Sequence, residues 1–237
     1  MLEYLRNNRI MVVVAHPDDE LLGCGATMHK LIHENDCYIR AIVLGEGITS
    51  RSEESNTEKW KEKLLIHKKN IDTARLAIGY TSVKTYNFPD NRFDSIPLLD
   101  IVKVLEKEKH DFQPEIIFTH HGGDLNIDHQ RTFEAVITAT RPIKGEVVKT
   151  IITFETPSVT EWRASSDPRH FIPNFFVEVT EKEMEAKIKG MEGYKFEKRK
   201  YPHPRSPEAL KILAQRYGVM IGSDYSEAFQ IIRMISK

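Results

Sequence analysis

Short apolar runs alternate with helical stripes along the chain. Ile10-Met11-Val12-Val13-Val14 is an unbroken apolar run, the pattern of a strand covered on both faces of a parallel sheet. Runs over 38–44, 83–88, 115–118, 148–155 and 174–179 predict further strands. Between them lie residues spaced for helices. Leu21, Met28, Leu31 and Ile32 predict one that stops near Asn35-Asp36. Trp60, Leu64, His67, Ile71, Ala74 and Ile78 alternate steps of four and three, the most periodic stretch present. Leu98, Ile101, Val102 and Leu105 mark the next helix, and Phe133, Val136, Ile137 and Thr140 another. Helices near 182–191, 207–216 and 227–234 are expected to finish the chain. This alternation predicts an α/β fold, a Rossmann-like three-layer sandwich around a mostly parallel sheet, as one domain over 1–237.

Composition narrows the function without choosing it. Hydrophobic residues make up 40% and charged residues 29%, as in soluble globular proteins. Lys+Arg of 34 against Asp+Glu of 35 leaves a net charge of -1, which argues against nucleic acid and anionic membranes as partners. No apolar run approaches the roughly 18 residues of a membrane span. The first residues lack a signal-peptide pattern. Cys24 and Cys37 give no disulfide framework, which points to a reducing, cytoplasmic compartment. Cys24 reads as a packed thiol.

The candidate chemistry follows two of the strands. Ala15-His16-Pro17-Asp18-Asp19-Glu20 comes directly after the first. Pro17 suits the first turn of a helix, and Asp18, Asp19 and Glu20 are expected in that turn. His16 then stands at the carboxyl end of a strand, where open α/β sheets bind ligands. His16 and Asp19 are spaced to converge on one point. Asp18 is rotated by about 100° from Asp19 and could reach a water on a metal held by its neighbours. The run at 115–118 opens into Thr119-His120-His121-Gly122-Gly123-Asp124-Leu125-Asn126-Ile127-Asp128-His129. His129 would add a third ligand at a helix start and leave a position open, the catalytic pattern of zinc. His120 and His121 compete for that role, although a strand turns at most one of them to the site. His29 and His33 have metal-capable spacing but read as a solvated helix face. No Gly-x-Gly-x-x-Gly follows the first strand, which disfavours a dinucleotide.

His-Pro-Asp-Asp-Glu followed by Asp-x-Asn-x-Asp-His resembles the PIG-L/LmbE family of zinc-dependent N-deacetylases, and within it the sugar deacetylases. Leu22-Gly23-Cys24-Gly25, Thr153-Phe154-Glu155, Glu161-Trp162, Tyr201-Pro202-His203-Pro204-Arg205-Ser206 and the tail from Tyr217 to Ile232 extend the resemblance. It implies one Zn²⁺ per chain on His16, Asp19 and His129. It implies Asp18 as general base and then acid. Asp128 would orient a catalytic or ligating group. His203, pre-set by Pro202 and Pro204, would face the metal as a protonated oxyanion donor. Arg51, in a polar loop at 50–56, joins Asp90, Arg92, Asn126, Trp162 and Arg205 as substrate-binding candidates. Many family members carry Arg and then Glu where this chain has His67 and Asn70, so His67 is either a hydrogen-bonded interior residue or a site-lining one. The expected substrate is a small N-acetylated sugar or nucleotide sugar, the product acetate, and a homo-oligomer is allowed. The alternatives are a metallophosphoesterase and a non-catalytic sugar-binding module. Phosphoryl transfer often wants two metals and clustered cations, and a binding module has no need of Asp18.

Overall fold

Each apolar run becomes a strand of one sheet. The computed structural model describes residues 2–47 and 57–236, with side chains over 4–47 and 63–236. In chain order the elements are α1 (Leu2–Leu5), β1 (Arg9–Val14), α2 (Asp19–Glu34), β2 (Tyr38–Gly45), α3 (Thr57–Ile78), β3 (Ser82–Phe88) and α4 (Leu98–Phe112). They continue with β4 (Ile116–His120), α5 (Ile127–Ala139), β5 (Thr150–Phe154), β6 (Phe175–Val179), α6 (Glu181–Gly193), α7 (Pro207–Ile221) and β7 (Tyr225–Met234). The strand order is β3-β2-β1-β4-β5-β7-β6. The first five strands are mutually parallel, and β7 runs antiparallel to both β5 and β6.

Alternation along the central strands divides the core into two layers. Ile10, Val12, Val14, Phe118 and Phe154 point to one face, under α2, α3 and α6. Met11, Val13, Ile117 and Ile151 point to the other, under α4 and α5. Burial on both faces is why these strands read as unbroken apolar runs rather than alternating ones.

One element departs from expectation. Residues 227–234 form most of β7, not a helix. Gly222, with φ +75°, ends α7 and lets the chain turn back. Phe229 then packs edge-on to Phe118 and against Phe175, and Ile231 reaches the same core. A short apolar run carries both periods at once, and burial between β5 and β6 decides it.

The topology prepares a site. The chain winds outward from β1 through β2 to β3, then returns to place β4 on the other side of β1. The crevice at the carboxyl ends of β1 and β4 is therefore a switch point. No helix among the described residues is long and apolar enough to cross a membrane.

Candidate active site

His16 leaves β1 at this switch point, and Pro17 breaks the strand. The helix starts later than expected: Asp18 is the N-cap of α2 and lies outside the first turn. Its φ is +105°, a left-handed conformation that costs a non-glycine residue about 1–3 kcal/mol. Neighbours over-determine it. Asp18 O accepts from the backbone N–H groups of Leu21 at 3.0 Å and Leu22 at 2.9 Å. Its own N–H donates to Glu20 Oε2 at 3.1 Å, and Tyr194 Oη donates to Glu20 Oε1 at 2.6 Å. Burial pushes the Glu20 carboxyl up to about 7.

Asp19 is buried in the middle of the histidines. Its Oδ2 accepts from the His16 backbone N–H at 2.9 Å. The same oxygen lies 3.4 Å from His16 Nδ1 and 3.3 Å from His129 Nε2. Burial alone would raise the Asp19 pKa, but His129 and His120 carry it well below the usual carboxylate range.

The far side of each imidazole meets another carboxylate. His16 Nε2 lies 2.9 Å from Asp128 Oδ2 and 3.2 Å from Asp90 Oδ1. Those acceptors keep a proton on Nε2, so a cation that displaced the other proton would meet the Nδ1 lone pair on the Asp19 side. His129 Nδ1 likewise lies 3.3 Å from Asp124 Oδ2, which leaves Nε2 for the crevice. Burial lowers both histidine pKa values, yet the carboxylates reverse it. His16 rises well above its ordinary value, and His129 rises to about 9. Asp19, Asp90, Asp124 and Asp128 thus converge on two imidazoles and create a field that attracts positive charge.

His16 Nδ1, Asp19 and His129 satisfy the spacing of a metal site. Two ligand atoms about 2.0–2.1 Å from one tetrahedral ion stand roughly 3.3 Å apart, the separation seen here on both sides of Asp19 Oδ2. His16, Asp90 and Asp128 satisfy the same test. Asp128, however, already accepts from the backbone N–H groups of Asn91 at 2.7 Å and Phe93 at 2.9 Å as well as facing His16. Those contacts engage Asp128 in orienting His16, which favours the first set as the one that could hold a metal.

The competing histidines are accounted for. His120 is buried and stacks on His129 with centroids 3.7 Å apart. Its Nε2 accepts the Ala15 N–H at 2.9 Å, and its Nδ1 donates to Thr156 Oγ1 at 3.1 Å. Burial, helped by His129, pulls its pKa down to about 4, so it is a neutral spacer. His121 turns away and donates from Nε2 to the Arg169 carbonyl at 2.7 Å.

The other candidates divide into those that line the cavity beside these residues and those that do not. Asn126 is the N-cap of α5; its Oδ1 accepts the Asp128 N–H at 2.8 Å and its Nδ2 donates to Asn91 Oδ1. Asp90, Asn126, Glu197 and Arg205 join His16, Asp18, Asp19 and His129 in lining a cavity of about 100 Å³. Arg205 Nη1 donates to Asp18 Oδ2 at 2.9 Å. Burial raises the Asp18 pKa; Arg205 opposes it, and the net position is well above the usual carboxylate range. His203 Nδ1 accepts the Arg205 backbone N–H at 3.1 Å, which leaves the ring proton on Nε2. Trp162 is exposed and stands edge-on to His203 with centroids 6.5 Å apart. Arg92 is exposed beside the turn Phe93–Ser95 and does not line the cavity. His67 is buried against Tyr194 and Phe196. It and Pro17 line a neighbouring, larger cavity of about 520 Å³ that holds none of the converging aspartates. Arg51 lies outside the described residues.

Sequence reasoning passed over three side chains that hold this site together. Asp124 was visible within the second motif but without a role. Glu197 and Ser158 stand in irregular stretches with no local pattern, and only folding brings them to Arg205.

The uncharacterized deacetylase YaiS of Escherichia coli is 29% identical over 197 residues, 78% of this chain and 90% of its own length. The N,N'-diacetylchitobiose deacetylase of Pyrococcus horikoshii superposes with TM-score 0.69 at 19% identity, covering 95% of this chain and 84% of that one. The 4-carboxy-2-hydroxymuconate hydratase GalB of Pseudomonas putida superposes with TM-score 0.67 at 19% identity and 97% and 98% coverage. Deacetylase and hydratase share this architecture, so those two likenesses speak for the fold alone. The model of the family described as PIG-L, GlcNAc-PI de-N-acetylase, matches residues 11–140, more than half of the chain, a span that includes both His16–Glu20 and Asp124–His129. The chain therefore belongs to the PIG-L family.

Proposed function

We propose that this protein is a metal-dependent N-deacetylase that removes acetate from an N-acetylated amino sugar. The observation that carries the reading is the buried Asp18 carboxylate beside three donor atoms spaced for one divalent ion. The ion, Zn²⁺ in this reading and one per chain, would be held by His16, Asp19 and His129. It would supply Lewis acidity and a water acidified toward a pKa of about 7.

The residues of the chain do the rest. Asp18 takes the proton of the attacking water as its oxygen bonds to the amide carbon. Its raised pKa makes it a stronger base than an ordinary carboxylate, as this step needs. His203 donates a hydrogen bond from Nε2 to the oxygen that becomes negative. Asp18 then returns the proton to the nitrogen, the C–N bond breaks, and acetate and a free amine leave. Asp128 fixes the His16 ring. The small polar cavity suits an acetamido group, with Asp90 and Asn126 near its hydroxyl neighbours and Trp162 as a stacking face. Arg92, and Arg51 beyond the described residues, remain substrate-binding candidates in this reading, which also assigns the enzyme to the cytoplasm and to a sugar or nucleotide-sugar substrate. The family membership and the YaiS relative support deacetylation over the phosphoesterase alternative.

The test is acetate release from a panel of N-acetylated sugars and nucleotide sugars by Zn²⁺-loaded protein. Asp18→Asn should keep its metal and lose roughly 10²–10⁴-fold in kcat. Release of phosphate instead of acetate, or full turnover by that variant, would remove the mechanism.

A further inference from the structure

We infer that Arg205 is the positioning residue of Asp18, a guanidinium clamped by Glu197 and Ser158 that selects which carboxylate oxygen of the base meets the reacting water. This goes beyond the deacetylase reading and rests on it for the role of Asp18.

The clamp is built from separate parts of the chain. Arg205 Nη1 lies 2.9 Å from Asp18 Oδ2 and 2.9 Å from Glu197 Oε2. Its Nε donates to Ser158 Oγ at 2.7 Å. All three acceptors are buried, with Asp18 at 2% exposure and Glu197 and Ser158 at 4% each. Charge-assisted hydrogen bonds of this length in a buried setting are strong and directional. Glu197 and Ser158 hold the planar guanidinium from two edges, so it cannot swing freely toward a substrate.

Asp18 needs such a partner. Its left-handed backbone takes its carboxylate out of the direction that a helical residue would have. A carboxylate has two equivalent oxygens. With Oδ2 engaged by Arg205, Oδ1 is the one left to take the proton. The backbone of the same residue aims the second catalytic candidate, because the Arg205 N–H holds His203 Nδ1. One residue thus sets the geometry of both groups on the two sides of the amide. This differs from the direct substrate contact that the sequence suggested for Arg205.

Kinetics separate the two roles. Losing a substrate contact raises KM, whereas losing orientation of the base lowers kcat with KM kept. Arg205→Met in the metal-loaded enzyme should lower kcat by about 10²-fold, the cost of misplacing a reacting group by about an ångström. KM and metal content should stay at wild-type values. Free guanidinium should restore part of kcat, and Arg205→Lys should fall between the two. Glu197→Gln, which keeps the arginine but loosens it, should lower kcat in the same direction by less. A raised KM with kcat kept would overturn the assignment in favour of substrate binding. A crystal structure of Arg205→Met gives a readout without turnover: a turned Asp18 carboxylate supports the inference, and an unmoved one overturns it. A wild-type enzyme that releases no acetate would instead sink the deacetylase reading and leave that structural outcome to judge the clamp.

Discussion

His203 shows what a single backbone contact does to a side chain's chemistry. The Arg205 N–H occupies Nδ1, so the ring can donate only from Nε2. Burial, then the charges of Arg205 and Arg199, lower its pKa from 6.5. In the donor role proposed for it, the ring is therefore neutral near neutral pH rather than protonated as expected from sequence. The sign follows directly. A pKa below the ordinary value means that the ring gains its second proton only in acid, so raising pH above neutrality removes nothing from the Nε2–H donor. His203→Ala should keep its metal and lose roughly 10²–10³-fold in kcat. The pH–rate profile of the native enzyme should show no alkaline fall traceable to His203. An alkaline fall that disappears in the alanine variant would restore the charged donor. At this scale legibility follows contiguity. His16, Asp18 and Asp19 were readable because they follow one buried strand within four residues. The left-handed turn at Asp18 was not, because aspartate does not announce it as glycine would. Glu197 gave no signal because its partner is chosen by the tertiary fold.

At the scale of elements, the helix that carries Asp19 is broken and repaired. Cys24, with φ −149° and ψ 16°, interrupts α2. Gly23 lies so close to β5 that a Cβ there would stand 2.1 Å from the Phe154 ring. The break strips the helical partners from Leu22 O and from the N–H groups of Ala26 and Thr27. Lys187 Nζ donates to Leu22 O at 2.9 Å, and Glu227 accepts from Ala26 N at 3.3 Å and Thr27 N at 2.7 Å. The two side chains also pair, with Lys187 Nζ 2.7 Å from Glu227 Oε1, both buried. Glu227→Ala would leave a buried ammonium and two buried N–H groups unpaired. It should cost about 3–5 kcal/mol, measured as a shift of the urea midpoint at unchanged m. Loss below about 1 kcal/mol would mean that water fills the gap, as at exposed ion pairs. This repair also explains the misread end of the chain. Glu227 and Phe229 both face the sheet side of α2, at the period of two that belongs to a strand. In sequence the same stretch offered a helical spacing equally well, and nothing local named α2 and α6 as its partners. The central parallel strands β1 and β4, by contrast, were legible because double burial leaves few polar positions to confuse the period.

At the scale of the molecule, the proposed ligand set joins two halves of the sheet across the switch point. His16 and Asp19 follow β1, while His129 opens α5 after β4. An unfolded chain holds these groups apart, so an ion recognises the folded state and stabilises it by mass action. At a free concentration about 100 times its Kd the gain is about 2.7 kcal/mol. Zn²⁺ should therefore raise Tm in a concentration-dependent way, and a chelator should reverse the rise. His129→Ala should abolish it. Asp124→Asn tests the orienting contact rather than the ligand. Asp124 reaches His129 Nδ1 at 3.3 Å and accepts from Thr160 Oγ1 and the Asn126 N–H, so it ties the ring to two loops. Weakening that hold should cut metal affinity by about 10–100-fold, the usual effect of losing such a partner. That corresponds to about 1.4–2.7 kcal/mol less binding free energy, so the Tm rise should begin at a correspondingly higher Zn²⁺ concentration and approach a parallel slope. Calorimetric scans across a Zn²⁺ series for the three proteins would check it. An equal Tm rise in His129→Ala would mean that the stabilising ion sits elsewhere on the molecule.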